Sequence, residues 1–99
     1  MKNQGDVHIW KLAALPKNAN PRESRVVREG EVTGHAHRIV GEAVAVYDLD
    51  GRVMAVVSGD GVSLVHEEHG PITLEPGVHE FGPTYEYDYE TEESRQVQD

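Results

Sequence analysis

The chain has 99 residues, 37% of them hydrophobic, and a formal net charge of −9 at pH 7. A chain of this length forms one small domain with a modest core. Residues 53–99 carry eleven acidic residues and a single basic one, Arg95. Nucleic acids and anionic membranes attract clustered Lys and Arg, so we expect neither a direct nucleic-acid partner nor a membrane partner.

Cysteine is absent, which excludes disulfides, iron–sulfur clusters, thiolate zinc sites and cysteine nucleophiles. The N-terminal segment MKNQGDVHIW has no long apolar stretch, so no signal peptide is predicted. The longest apolar runs, AVAVY and MAVV, are much shorter than a membrane span. These features together favour a cytoplasmic protein.

Period-two alternation of apolar residues dominates the first half of the chain. Residues 6–13 are the first predicted strand. Residues 15–24, with two prolines and two asparagines, are a predicted loop. Residues 25–33 and 42–49 are the second and third predicted strands, and Gly30 interrupts the former.

The clearest turn is Asp50-Gly51, which lies between two apolar runs and favours a type I′ hairpin. A second tight turn, GDG, occupies residues 59–61. A predicted strand at residues 52–58 follows the Asp50-Gly51 turn, and another at residues 62–68 follows the GDG turn. A short hairpin is predicted at residues 71–82.

Residues 84–90, TYEYDYE, alternate strictly and place Tyr85, Tyr87 and Tyr89 on one face of a strand. A tyrosine face is typical of packing in a core or at an interface. The alternative is that Tyr85 and Tyr87 line a substrate-binding surface.

Seven to eight short strands with turns every eight to twelve residues predict an all-β fold, either a small antiparallel barrel or a sandwich. We expect a single all-β domain over residues 1–90. Residues 91–99 are polar and acidic and are predicted to be a fraying C-terminal tail.

Four of the six histidines lie in two short segments, His35 and His37 in TGHAH and His66 and His69 in HEEH. On an extended strand, residues two apart project from the same face, about 6.5–7 Å apart. Two imidazoles at that spacing can converge on one metal ion, each nitrogen about 2.0–2.1 Å from it. The alternative for TGHAH is a turn of polar residues.

The HEEH segment is not the helical HExxH motif, because its histidines are three positions apart. On a regular strand His66 and His69 would face opposite sides. A bulge or bend at Gly70-Pro71, or one turn of helix, would bring them to the same side. The candidate metal ligands are His35, His37, His66 and His69, with Glu67 as a further candidate ligand.

Two segments resemble the cupin motifs. Residues 30–42, GEVTGHAHRIVGE, resemble the first, with glycine, His-x-His and then glutamate. Residues 70–81, GPITLEPGVHEF, resemble the second. The resemblance implies a cupin-like β-barrel whose metal is bound by His35, His37, Glu42 and His79. The chain departs from the pattern by one residue fewer between Gly30 and His35 and by a shorter segment before His79.

The chain also looks like a group of small uncharacterised bacterial and phage proteins with elements like GEVTGHAH and HEEHGPI. That resemblance covers most of the chain and brings no known activity. It implies that HEEH and GHAH belong to the same site.

Two classes of function follow from these observations. The first is a domain with a divalent metal ion (Zn, Fe, Mn or Ni) held by imidazoles and carboxylates, which binds or converts a small molecule; whether it is an enzyme stays open. The alternative is a non-catalytic, phage-type accessory or structural protein, in which the tyrosine face, Trp10 and exposed strand edges form contacts of a homo-oligomer. A third hypothesis is that the clustered histidines sense pH.

Overall fold

The computed structural model describes residues 2–29, 34–83, 85–88 and 93–96. These residues form strands and turns, and no helix is present among them. The strands are β1 (Lys2–Gln4), β2 (Val7–Leu12), β3 (Asn20–Arg22), β4 (Val26–Glu29), β5 (Ala36–Val40), β6 (Val44–Leu49), β7 (Arg52–Val57), β8 (Ser63–Val65), β9 (Ile72–Thr73), β10 (Gly77–Pro83), β11 (Tyr85–Asp88) and β12 (Glu93–Gln96).

Ten of these strands form two antiparallel sheets. The larger sheet has the order β1-β2-β10-β7-β6-β3, and the smaller has the order β4-β5-β8-β9. The prediction of an antiparallel all-β fold is confirmed. Of the two predicted architectures, the closed barrel is wrong, because each sheet ends in open edge strands over the described residues.

The strand count exceeds the seven or eight predicted because several strands are too short to show alternation. Strand β3 lies in the segment predicted to be a loop, where Pro21 argued against a strand. Pro21 is tolerated because β3 is an edge strand of the larger sheet. Strand β12 lies within the predicted tail and pairs with β11.

Both sheets contribute side chains to one apolar core, as in a sandwich. Ile9 and Phe81 come from the larger sheet, and Ile39 and Leu64 come from the smaller. Ile39 and Leu64 are directly paired across β5 and β8, and both are almost completely buried. The two sheets therefore hold each other through this shared core.

The Asp50-Gly51 turn joins β6 to β7 as predicted. The φ angles are 50° at Asp50 and 81° at Gly51, and type I′ turns require positive φ at both central residues. The predicted hairpin is confirmed. Within the described part of the chain, no helix has the length and apolar character that crossing a membrane requires.

The core contribution of the smaller sheet can be measured at two adjacent positions of β5. Ile39 is 1% exposed and Val40 is 42% exposed. We expect Ile39→Ala to lower the free energy of unfolding by about 2–5 kcal/mol, because it leaves a cavity between the sheets. Val40→Ala should lower it by less than about 1 kcal/mol. Urea unfolding of both variants gives the comparison, and equal losses would contradict this description of the core.

Candidate metal centre

The register of β5 and β8 brings the two histidine segments together. Arg38 pairs with Val65 and Ile39 with Leu64. Continuing this antiparallel register by one residue places His37 opposite His66. The ring centroids of His37 and His66 are 4.3 Å apart.

The other two histidines adjoin this pair. The His35 ring centroid lies 5.6 Å from that of His66. The His69 centroid lies 4.8 Å from that of His66 and 6.2 Å from that of His37. The structure therefore brings all four predicted histidines into one group, the histidine cluster (His35, His37, His66 and His69).

Glu67 connects the HEEH segment to β5. Its Oε1 accepts a hydrogen bond from the Ala36 backbone N–H at 2.8 Å, and its Oε2 accepts one from Arg38 Nη1 at 2.7 Å. The hydrogen bond from Arg38, followed by the one from Ala36, lowers the pKa of Glu67 from 4.5 to about 2. Glu67 also lies close to the ring nitrogens: it, His35 and His66 each offer one ligand atom, all within 4.8 Å of one another.

His37 is the most buried member of the cluster, with 1% of its surface exposed. Its Nδ1 lies 2.9 Å from Oε1 of Gln4, a buried residue of β1. The side-chain amide nitrogen of Gln4 donates to the backbone carbonyls of Leu64 at 2.8 Å and Gly70 at 2.9 Å. Gln4 thus contacts β5, β8 and Gly70, the residue that follows the HEEH segment.

Asp6 faces the other ring nitrogen of His37. Its Oδ1 lies 3.4 Å from His37 Nε2, and its Oδ2 accepts a hydrogen bond from Arg28 Nε at 2.9 Å. Partial burial acts to raise the pKa of Asp6, but the hydrogen bond and charge of Arg28 outweigh it and the pKa is lowered. Burial, reinforced by the neighbouring His66, lowers the pKa of His37 even though Asp6 acts to raise it.

His66 and His69 each have a second contact that fixes their position. Nδ1 of His66 accepts a hydrogen bond from the backbone N–H of Glu68 at 3.0 Å. The ring of His69 lies against Gly5, where a methyl carbon in place of the glycine hydrogen would be 2.5 Å from His69 Nε2. Gly5 therefore leaves the space that the His69 ring occupies.

Two further candidate ligands lie elsewhere. Glu42 is exposed beyond the far end of β5, five residues from His37, which corresponds to about 17 Å along a strand. His79 is paired with Lys11 of β2, which lies five residues along the chain from Asp6, the residue that contacts His37. The Nε2 of His79 lies 2.8 Å from the backbone carbonyl of Glu75. The cupin-type ligand set is therefore not assembled, because its members lie at opposite ends of strands.

The predicted tyrosine surface cannot be placed against the cluster. Only the backbone of Tyr85 and Tyr87 belongs to the described structure, and Tyr89 lies outside it. Among side chains that are described, Val40 is the one exposed large hydrophobic residue.

Sequence reasoning missed Gln4, Gly5 and Asp6, which form the β1–β2 turn. Gln4 pairs with Val7 across this two-residue hairpin, and Gly5 has a φ of 57°. Glycine at the first central position is typical of a type II′ turn. The Gly-Asp pair followed by the alternating run VHIWKL was the available signal for the hairpin, although it gives no indication of the contacts with the histidines.

Comparison with known proteins adds a family. The sequence model of a family described as a domain of unknown function, DUF8820, matches residues 3–82. The matched range contains the histidine cluster and the β1–β2 turn. No curated protein and no solved structure matches the chain. The expectation of an uncharacterised family is confirmed, whereas these comparisons give no support for a cupin.

Replacing Gly5 tests the contact between the β1–β2 turn and His69. Gly5→Ala places a side chain at positive φ, which costs about 1–2 kcal/mol, and it also displaces the His69 ring. Gly51→Ala is the matched control, since Gly51 has a φ of 81° and open space around it. We expect Gly5→Ala to lose more unfolding free energy in urea than Gly51→Ala and to shift the NMR signals of the His69 ring. Equal losses and unchanged His69 signals would contradict the contact.

The Glu67 contacts predict a pH dependence of stability. The pKa of Glu67 is lowered from 4.5 to about 2 in the folded protein, so its contribution is complete above about pH 4.5 and is lost as the pH falls towards 2. The difference in unfolding free energy between the parent and Glu67→Gln should therefore be largest near pH 7 and small near pH 2. Urea unfolding in the presence of a chelator measures it, with Glu68→Gln as the neighbouring exposed control. A difference that is constant with pH would contradict the role assigned to Glu67.

Proposed function

The chain belongs to the DUF8820 family, and because the description of that family names no activity, we propose a function from the site itself. The protein binds a divalent transition-metal ion through the imidazoles of the histidine cluster. The observation that carries this proposal is that four rings from two separate segments lie side by side, with successive centroids 4.3 to 5.6 Å apart.

Such a group of rings has an electrostatic problem that a cation solves. Protonated imidazoles at these separations repel one another, and ligand atoms of His35, His66 and Glu67 lie within 4.8 Å of one another. A bound cation accepts lone pairs of neutral rings, so the rings need not carry positive charge. The local structure supports this reading, because the β5–β8 register, Gln4 and Glu67 hold the rings in place before any ion binds.

The chemistry of the donors limits the kind of ion. Imidazole with carboxylate and without thiolate suits Zn, Fe, Mn or Ni, and the hard cations Mg and Ca prefer sites composed of oxygen ligands. In the described structure both oxygens of Glu67 accept hydrogen bonds, and each oxygen keeps a further lone pair. We therefore assign Glu67 both to positioning the HEEH segment and to binding the ion beside His35 and His66, whose ligand atoms lie within 4.8 Å of it.

Coordination by His66 has a local consequence. Its Nδ1 accepts the Glu68 N–H bond, so a neutral His66 carries its proton on Nε2. Binding a metal through Nδ1 displaces the Glu68 N–H, and binding through Nε2 moves the proton to Nδ1. The hydrogen bond from Glu68 is lost in either case. The backbone amide of Glu68 is thus a reporter for metal binding.

Metal binding is tested on tag-free protein with a histidine outside the cluster as the control. Titration calorimetry with Zn²⁺ should show one ion per chain for the parent. His37→Gln and His66→Gln should weaken binding by at least about 10- to 100-fold, the range found for the loss of outer-shell partners alone. His8→Gln removes a histidine that packs against Trp10 on β2 and should bind like the parent.

A second readout uses the amide of Glu68. Its NMR signal should move on Zn²⁺ addition in the parent and in His8→Gln. Substoichiometric binding, or equal affinities for all three variants, would refute the proposed function.

A further inference from the structure

We propose that the ion of the proposed function, on which this inference rests, is held by only three protein groups and keeps an open position. The three are His35, His66 and Glu67. A small carboxylate ligand takes the open position with one oxygen and accepts a hydrogen bond from Arg38 with the other. The site would then bind small molecules that carry a carboxylate group.

Three side chains lie close enough to share one ion. One ligand atom from each of His35, His66 and Glu67 lies within 4.8 Å of the other two. Two ligand atoms about 2.0–2.1 Å from a tetrahedral ion lie about 3.3–3.4 Å apart, so small side-chain rotations close the group around the ion. Three protein ligands leave a tetrahedral ion with one position for water or substrate, whereas a structural zinc ion has four protein ligands.

The other two members of the histidine cluster support His66 instead of contacting the ion. Their ring centroids lie 4.3 Å (His37) and 4.8 Å (His69) from that of His66. His37 is 1% exposed and its Nδ1 contacts Gln4, and the ring of His69 lies against Gly5. Among the described residues, neither joins the group whose ligand atoms lie within 4.8 Å of one another. The open position is therefore not filled by these two rings.

The three ligands lie where solvent reaches them. His35 and His66 are half-buried, and Glu67 is exposed. Gly34, which precedes His35, is also exposed, and a methyl carbon added to it would meet no described atom within 4 Å. Water on an ion in such a position exchanges with solvent, so a dissolved ligand can displace it.

Arg38 places a second cationic group beside the ion. Its Nη1 donates to Glu67 Oε2 at 2.7 Å, and its side chain is 43% exposed. A guanidinium presents five N–H donors in a planar fork that fits carboxylates. Within the described part of the chain, the Arg38 guanidinium makes this one hydrogen bond. Its remaining N–H groups can donate to a ligand bound next to Glu67.

The charges around the site favour an anion. A divalent ion and Arg38 together outweigh the negative charges of Glu67 and the exposed Glu68. Arg28 and Asp6, the other charged pair next to the cluster, form an ion pair with each other. A carboxylate has two oxygens and one negative charge, which matches one coordination position and one guanidinium.

The first experiment tests the open position. Tag-free protein is loaded with Co²⁺, whose visible absorption reports the number and geometry of its ligands. Azide and acetate should each change the spectrum in a saturable manner, because each displaces water from the ion. Loaded protein whose spectrum does not respond to either anion overturns this inference and leaves the proposed function intact. Protein that binds neither Co²⁺ nor Zn²⁺ overturns both.

The second experiment tests Arg38 with two charge-matched variants. Arg52→Gln is the control, since Arg52 lies on the larger sheet and bonds twice to Glu80. We expect Arg38→Gln to lose at least about tenfold in acetate affinity relative to azide, because a charge-assisted hydrogen bond to the second oxygen is removed. Arg52→Gln should keep both affinities within about twofold of the parent.

The ratio of the two affinities separates ligand binding from support of Glu67. Loss of support alone would alter the Co²⁺ site and weaken acetate and azide equally, so an unchanged ratio in Arg38→Gln overturns the role of Arg38. Arg38→Lys keeps a donor for Glu67 but lacks the planar fork. It gives the same comparison if Arg38→Gln does not bind Co²⁺, and again an unchanged ratio overturns that role.

Discussion

One buried amide, that of Gln4, connects the parts on which the site depends. Gln4 lies on β1 of the larger sheet, and its side chain bonds to β5, to the carbonyl of Leu64 on β8 and to the carbonyl of Gly70. A buried amide left without partners is costly, so these bonds favour a single relative position of the two sheets at this end. The same side chain contacts the buried ring of His37. One residue therefore connects the two sheets and supports the histidine cluster.

The histidines themselves lie in different kinds of local structure and differ in burial. His37 is in a strand and almost completely buried, whereas His66 and His69 lie in a bent segment after β8. Glu67 connects this bent segment to the neighbouring strand β5 by accepting hydrogen bonds from Ala36 and Arg38. Preorganised sites need such supporting contacts, because a ring that moves freely loses entropy when it binds. The hydrogen bond between Glu68 and His66 is the part of this framework that metal binding would change.

Local sequence signals predicted the local features well. The Asp50-Gly51 turn was predictable because only certain residues adopt its positive φ angles. Alternation predicted the all-β class for the same kind of local reason. Strand β3 was missed because Pro21 signals a break, and the rule that an edge strand tolerates proline needs the sheet order first. The proximity of His37 and His66 depends on the register of β5 and β8, which periodicity alone does not determine.

The residues that the sequence did not reveal are those that act over long distances along the chain. Gln4 is 60 residues from Leu64 and 33 from His37, and a polar residue near the chain start gives no sign of being buried. Glu42 and His79 were predicted to be metal ligands because of a motif resemblance, and the strands place them far from the histidine cluster. A motif specifies residue order, but the lengths and pairing of the strands decide which residues meet.

The edges of the sheets have a consequence for self-association. Pro21 removes a backbone donor from β3, β9 is two residues long, and β4 has a register irregularity between Val26 and Arg28. An incoming extended chain needs a long, regular row of donors and acceptors to add itself to a sheet. These three borders offer short or broken rows, so they are poor templates for fibril growth. Copies that associate would do so more readily through side-chain surfaces than by continuing the hydrogen-bonded sheets at these borders.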